Sequence, residues 1–405
     1  MNLRPAGEST MKQPTATLLV RDLPPPATGF TVEVISDYRA FLGLESSWND
    51  LVHRAGIDHP FLTHEWVRTW WQCFGSGKTL HIITVQRGGE LVAIAPMMLS
   101  KERIYGLNVR LLEFIYNKYT ERFDFIVARD APESYRQIWS SVVRQRHLWD
   151  AIRLCQLPPG SRTLEEIPRL ASEDGFLTGL WHSGDVPYLR LAGSWDSYFQ
   201  SLRSKRRSNL RRRLKGLNGV GLVAHEVVRS GDQLQTALED GLSIEAASWK
   251  GDEGTAIRCS PEVREFYKRM AEIAAHRGWL LLDFLTLNGR RIAFDYCLCF
   301  GGKQYLLKTS YDPLFAQYSP YHLLFSMVLQ RAFEAGLEEF DFLGVNDDWK
   351  LEWTRETRPH QWLYVFPHGF RAHLIYGIKF RILPRLKELR IEGRKSKTEE
   401  TEDRG

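Results

Sequence analysis

Apolar residues along the chain follow two alternating periods. An amphipathic stretch opens at Pro60 and runs at helical spacing through Trp66, Trp70 and Phe74. Two strand-sized apolar runs follow, 80–86 and 91–99, joined at Gly88-Gly89. About two hundred residues later the same order returns. Pro261 opens a helix through Phe266, Met270 and Ile273, and runs 280–287 and 292–300 then flank Asn288-Gly289. Gly89 and Ala93 recur as Gly289 and Ala293 at the same offset. Gly-Gly and Asn-Gly suit tight hairpins because both residues tolerate positive φ. Each hairpin leads to more strand, then a helix (133–147; 321–335) and an apolar strand (151–157; 338–343). The alternation predicts an α/β or α+β fold. Its recurrence predicts two lobes of one topology, each a mixed central sheet flanked by helices.

The expected divisions are a loose tail at 1–29, a first lobe at 30–190, a second at 191–370, and a basic helix with a disordered tail at 371–405. The lobes join through 186–217, where Trp195, Tyr198, Leu202, Leu210, Leu214 and Leu217 form an apolar stripe under a basic face. Asn218-Gly219 is the expected C-cap. A length of 405 residues suits about two domains. No apolar run approaches the ~20 residues of a membrane span, and the N-terminus lacks an apolar signal core. Five cysteines without zinc spacing fit reduced thiols in the cytoplasm. A net charge of +5 excludes a polycation, yet 203–215 holds eight basic residues and no acid. Such a patch meets phosphates, anionic lipids or water. The expected location is cytoplasmic, or peripheral to the inner face of the membrane.

Candidate chemistry concentrates at 311–350. A strand ending near Tyr311 enters a loop through Ser319-Pro320, a helix follows, and the next strand leads into Asp347-Asp348-Trp349-Lys350. A strand, a loop and a helix N-terminus make an anion site, which places Ser319, Tyr321, His322 and Leu323 as ligand-binding candidates. Ordinary capping, with Ser319 as N-cap and Pro320 at N1, explains the same residues. In run 292–300, alternation puts Asp295 with Ala293, Cys297 and Cys299, opposite Phe294, Tyr296 and Leu298. An acid in an apolar strand needs a partner or a task, so Asp295 is a candidate base or a paired structural Asp. Cys297 and Cys299 read as core thiols. No Ser/His/Asp arrangement, phosphate-binding Gly loop, dinucleotide fingerprint or metal-spaced cluster is present.

Three stretches resemble the two-lobed GNAT acyltransferases related to the CelD cellulose-biosynthesis proteins, with the Fem peptidoglycan aminoacyltransferases as more distant relatives. They are the basic helix 202–212; Glu245-Ala246-Ala247-Ser248-Trp249-Lys250-Gly251 with 254–257; and Tyr311-Asp312-Pro313, Tyr318-Ser319-Pro320, Phe340-Asp341-Phe342 and 349–353. Tyr321 stands where the family has Gly, and would narrow the donor site or change donor choice. The resemblance implies tandem GNAT-like lobes and transfer of an acyl group, acetyl or another, from acyl-CoA to an amine-bearing acceptor in polysaccharide or cell-envelope synthesis, without a metal. Asp295, Lys350 and Glu245 are then the catalytic candidates, and Trp249, Lys250 and Tyr311 the acceptor-binding ones. Fem-like transfer from aminoacyl-tRNA is the alternative, with 203–215 tracking RNA phosphates, although no aromatics interleave its basic residues. A non-catalytic scaffold at a membrane surface is the third.

Overall fold

The computed structural model describes residues 29–247, 257 and 260–386. Among the described residues, thirteen strands form one sheet. In chain order they are β1 (Phe30–Ile35), β2 (Thr79–Arg87), β3 (Glu90–Ile104), β4 (Leu107–Phe114), β5 (Ile126–Val127), β6 (Ala151–Leu157), β7 (Leu177–Arg190), β8 (Val223–Val228), β9 (Leu280–Leu287), β10 (Arg290–Phe300), β11 (Lys303–Tyr311), β12 (Glu339–Asp341) and β13 (Thr357–Phe366). Their spatial order is β1-β2-β3-β4-β6-β13-β7-β12-β11-β10-β9-β8, with β5 on β3. Both predicted hairpins form, and Gly88, Gly89, Asn288 and Gly289 all take positive φ.

The two halves repeat one plan. β1 to β4 are antiparallel and β6 adds parallel to β4; β8 to β11 are antiparallel and β12 adds parallel to β11. β7 closes both, since its N-terminal part pairs with β13 and its C-terminal end with β12. β13 falls within the expected second lobe, 191–370, yet lies between β6 and β7, so the lobes share a ladder.

Three local details differ from the sequence pattern. The stretch after Pro60 is a single 3-10 turn, Pro60–Leu62, and Thr63 then caps a separate helix, His64–Phe74, through its hydroxyl. The joining segment is two helices, Trp195–Ser201 and Ser204–Asn218, because Leu202 is extended between them. Gly219 ends the second with φ −71, without a left-handed turn.

The Trp-rich helix is core. Trp66 is fully buried, meets Phe266 of helix Pro261–His276 edge-on at 5.2 Å, and donates its indole N–H to Thr120 Oγ1 at 3.2 Å. These two equivalent helices pack on each other across the lobes. Burial of such rings, worth on the order of 2–3 kcal/mol each, makes the pair a hydrophobic link between the halves.

Candidate active site

Parallel pairing of β11 with β12 stops at Tyr305–Asp341. β11 runs on to Tyr311 along β10, while the chain after β12 turns away through Leu343 and Gly344, both at positive φ (54 and 61). Left-handed backbone at a non-glycine residue is costly and tends to persist at functional sites. The divergence opens a cleft of about 420 Å3, lined by 306–311, Tyr321, His322, 342–344, Asp347, Trp349, Lys350 and, from the first lobe, Glu121.

In the first lobe the equivalent gap is closed by the chain itself. Phe123 N–H donates to the Gln156 carbonyl at the end of β6 (3.1 Å), and Ala128 N–H to Val92 of β3 (2.9 Å). The Phe114 ring lies 4.9 Å from Phe123 and 5.5 Å from Phe125. This closing segment belongs to a connection of residues 115–133, against 312–319 in the second lobe. The extra length reaches across the junction. Arg122 pairs with Asp341 at 2.6 Å, both buried, and Glu121 Oε2 accepts the Gly344 N–H at 3.1 Å. Beside Phe125 remains a polar cavity of about 410 Å3, where Lys303 pairs with Asp58 at 2.6 Å and burial raises the Asp124 pKa to about 6.

Glu121 thus stands in the second lobe's cleft. Burial pushes its pKa up, opposed by the Gly344 amide and the Lys350 and Lys308 charges. Burial lowers the Lys308 pKa, opposed by Glu245 and Glu121. The Lys308 ammonium lies 5.4 Å and 5.3 Å from the Tyr119 and Tyr267 ring centres. A carboxylate whose pKa is raised, in a cleft with a partly desolvated ammonium, is suited to proton transfer.

The expected residues fall in several places. Tyr311, Tyr321, His322 and Lys350 line the cleft. Lys350 is buried and fastens the turn, its Nζ donating to Leu343 O (2.8 Å) and Val345 O (2.7 Å) and pairing with Asp347 at 3.1 Å. Asp295 is fully buried beneath Tyr321, whose phenol is raised by burial and then by the Asp295 charge. Its strand alternates as expected, Ala293 and Cys297 in one core and Phe294, Tyr296 and Leu298 in the other. Glu245 is buried and accepts the Ile257 N–H at 3.0 Å. Trp249 and Lys250 lie outside the described residues.

The helix N-terminus is not an open ring of donors. The helix is Pro320–Glu334, and Ser319, at φ 46, makes no side-chain cap bond. Pro320 has no N–H, and the His322 and Leu323 amides turn to the Ser319 carbonyl (3.0 and 3.4 Å). Leu323 is core, and Tyr321 packs edge-on to Trp349 at 4.9 Å. Cationic side chains lie next to this helix N-terminus. Beside His322 lies a groove of about 780 Å3 lined by Arg203, Lys205, Arg206, Arg213 and Arg355, with Asp348 and Glu352. Arg206 sits 4.0 Å over the Trp353 ring, pairs with Glu352, and reaches His322 Nδ1 at 3.3 Å. Burial, then Arg206 and Arg213, hold the His322 pKa down at about 4, so it is neutral. Leu210 and Leu217 anchor the basic helix, and Leu202 just before it is buried as well. Glu121 is the cleft-lining residue that sequence reasoning missed; the long 115–133 connection was its visible trace.

Residues 204–351 match the family model described as Acetyltransferase (GNAT) domain. The fold is a GNAT fold. The chain is similar to the structure of FemX (14% identity, 83% of this chain and 98% of that one, TM-score 0.55). It is similar as well to the C-terminal domain of a putative lysylphosphatidylglycerol synthetase from Agrobacterium fabrum (14% identity, 82% and 94%, TM-score 0.52). A conserved protein of unknown function from Bacteroides thetaiotaomicron shares the fold (10% identity, 83% and 100%, TM-score 0.52). No curated protein sequence matches the chain.

Proposed function

We propose that the chain is a cytoplasmic N-acyltransferase that moves an acyl group, acetyl in the simplest case, from acyl-CoA to an amine-bearing acceptor of polysaccharide or cell-envelope synthesis. The observation that carries this reading is the cleft between β11 and β12, open in the second lobe and self-filled in the first. An extended pantetheine arm fits the β11 edge beyond Tyr305, where β12 no longer pairs. The nucleotide phosphates fit the adjoining cationic groove beside the helix N-terminus. Glu121 accepts the amine proton, and Lys308 steadies the charge that develops beside it. Asp295, Glu245 and Tyr311 support the cleft walls in this reading, and Trp249 and Lys250 belong to the acceptor side.

Hydrogen exchange with acetyl-CoA tests the placement. Slowed exchange is expected over 303–323 and 339–350, and unchanged exchange over 107–116 and 151–157. Protection confined to the first lobe would overturn it.

The groove has a separate test. Arg207 donates to the Gln200 and Leu202 carbonyls at 2.6 and 2.5 Å and fastens the helix start, while Arg206 is stacked on Trp353 in the groove wall. Arg203 and Arg213 face the groove. Arg203→Glu with Arg213→Glu should raise KM for acetyl-CoA by on the order of 100-fold and leave KM for acetyl-pantetheine, which lacks phosphates, unchanged. Equal effects on both donors would refute a phosphate role. The groove's length of cationic lining favours, as a second reading, an aminoacyl-tRNA donor, for which affinity would fall steeply with salt over many phosphates.

A further inference from the structure

Residues 370–386 hold four basic side chains and no acid. They begin as helix Phe370–Gly377, widen into a π turn over Ile378–Ile382, and continue helically to 386. Pro384 causes the widening. It offers no N–H to the Phe380 carbonyl and its ring crowds that turn, and the Leu383 amide reaches back to Ile378 O.

One side of this helix holds the sheet. Ala372 and Ile375 are buried, Tyr376 and Phe380 pack on Phe366 at 5.8 and 6.3 Å, and Lys379 lies over Trp181 and Tyr364. The other side is apolar and uncovered: Phe370 is 83% exposed, Leu374 40%, Ile382 51% and Leu386 50%. Their spacing is four or eight residues, which in a straight α-helix spirals off one face. The wider π turn takes more residues per revolution and returns the stripe toward its starting side. Arg371, Arg381 and Arg385 are exposed beside it.

We propose that this face lies in the plane of an anionic membrane surface, with the four apolar side chains in the interface and the three arginines on lipid phosphates. Exposed apolar residues flanked by cations on one helix face are what such binding requires. The helix spans about 25 Å, and no helix among the described residues is long and apolar enough to cross a membrane. Charge argues for lipid over a second copy: two such faces brought together would oppose six arginines with no acid in either stripe.

Vesicle flotation of the full chain tests this. Binding is expected to phosphatidylcholine vesicles carrying about 30% phosphatidylglycerol, to be released by salt, and to be absent on pure phosphatidylcholine. Phe370→Ser with Leu374→Ser and Leu386→Ser should abolish flotation. Arg371→Glu with Arg381→Glu and Arg385→Glu should weaken it by on the order of 100-fold. Circular dichroism and Tm should stay unchanged, since these positions face solvent. Equal flotation of both variants and the parent chain would sink the proposal. So would absence of flotation, alone or with a dimer in sedimentation velocity that the serine variant dissolves. Acyl transfer from soluble acetyl-CoA should not change, which keeps this test separate from the acyltransferase reading.

Discussion

Glu121→Gln is expected to slow acyl transfer by about 10²–10³-fold and to leave the fold at least as stable as before. The amine must lose a proton as it attacks, and Glu121 is the cleft-lining carboxylate aimed by a bond from the opposite lobe. Glutamine keeps the acceptor oxygen for the Gly344 amide, so the turn should hold; basicity is lost, together with the charge facing Lys350 and Lys308. The pKa direction gives the sign of the stability change. A carboxyl raised in the folded state favours folding while protonated, and that contribution is lost as pH rises through its folded pKa. At neutral pH the charged form therefore costs stability, and the amide removes that cost, so Tm should stay level or rise. The same shift sets the acid limb of kcat/KM above the ordinary carboxylate range of about 4.3, and the variant should lack that limb. If turnover and pH profile survive the change, Glu121 is only a strut between the lobes.

Much of this frame was legible because it is written locally. The hairpins at Gly88-Gly89 and Asn288-Gly289 need only turn chemistry and a period of two. The helices at 64–74 and 261–276 show their apolar stripes directly, and their repetition gave the doubled plan. Asp295 was placed on the correct strand face by alternation alone. That face lies beneath Tyr321, however, and no sequence period tells which side of a sheet a later helix will cover. The site itself depends on distant pairings. Arg122 and Asp341 meet across 219 positions, and nothing near either residue specifies the other. Glu121 carries no motif, and reaches the cleft only because the 115–133 connection first fills its own lobe's gap and then overreaches it. β13 was equally hidden, since an apolar strand near the end of the second lobe gives no sign that it will pair with β6 and β7.

Lys350→Ala should lower stability and activity together, in contrast to Glu121→Gln. The Lys350 ammonium satisfies the Leu343 and Val345 carbonyls and pairs with Asp347 inside the turn where two successive residues hold positive φ. A side chain at Gly344 would come within 3.2 Å of that Nζ, so turn and lysine are fitted to each other. Alanine leaves both carbonyls without this donor, a cost of about 2–4 kcal/mol in all. It also releases the strain stored at Leu343, because left-handed backbone persists only while its surroundings enforce it. Relaxation there moves the Gly344 amide, and with it the aim of Glu121, which stands on the other lobe. A misplacement near 1 Å can cost about 10²-fold in rate. Calorimetric Tm and kcat, measured on the same preparations, should therefore fall in step, and Lys350→Met, which keeps the apolar stem, should recover neither. A drop in rate per folded molecule at unchanged Tm would instead make Lys350 a direct contact of the reacting groups.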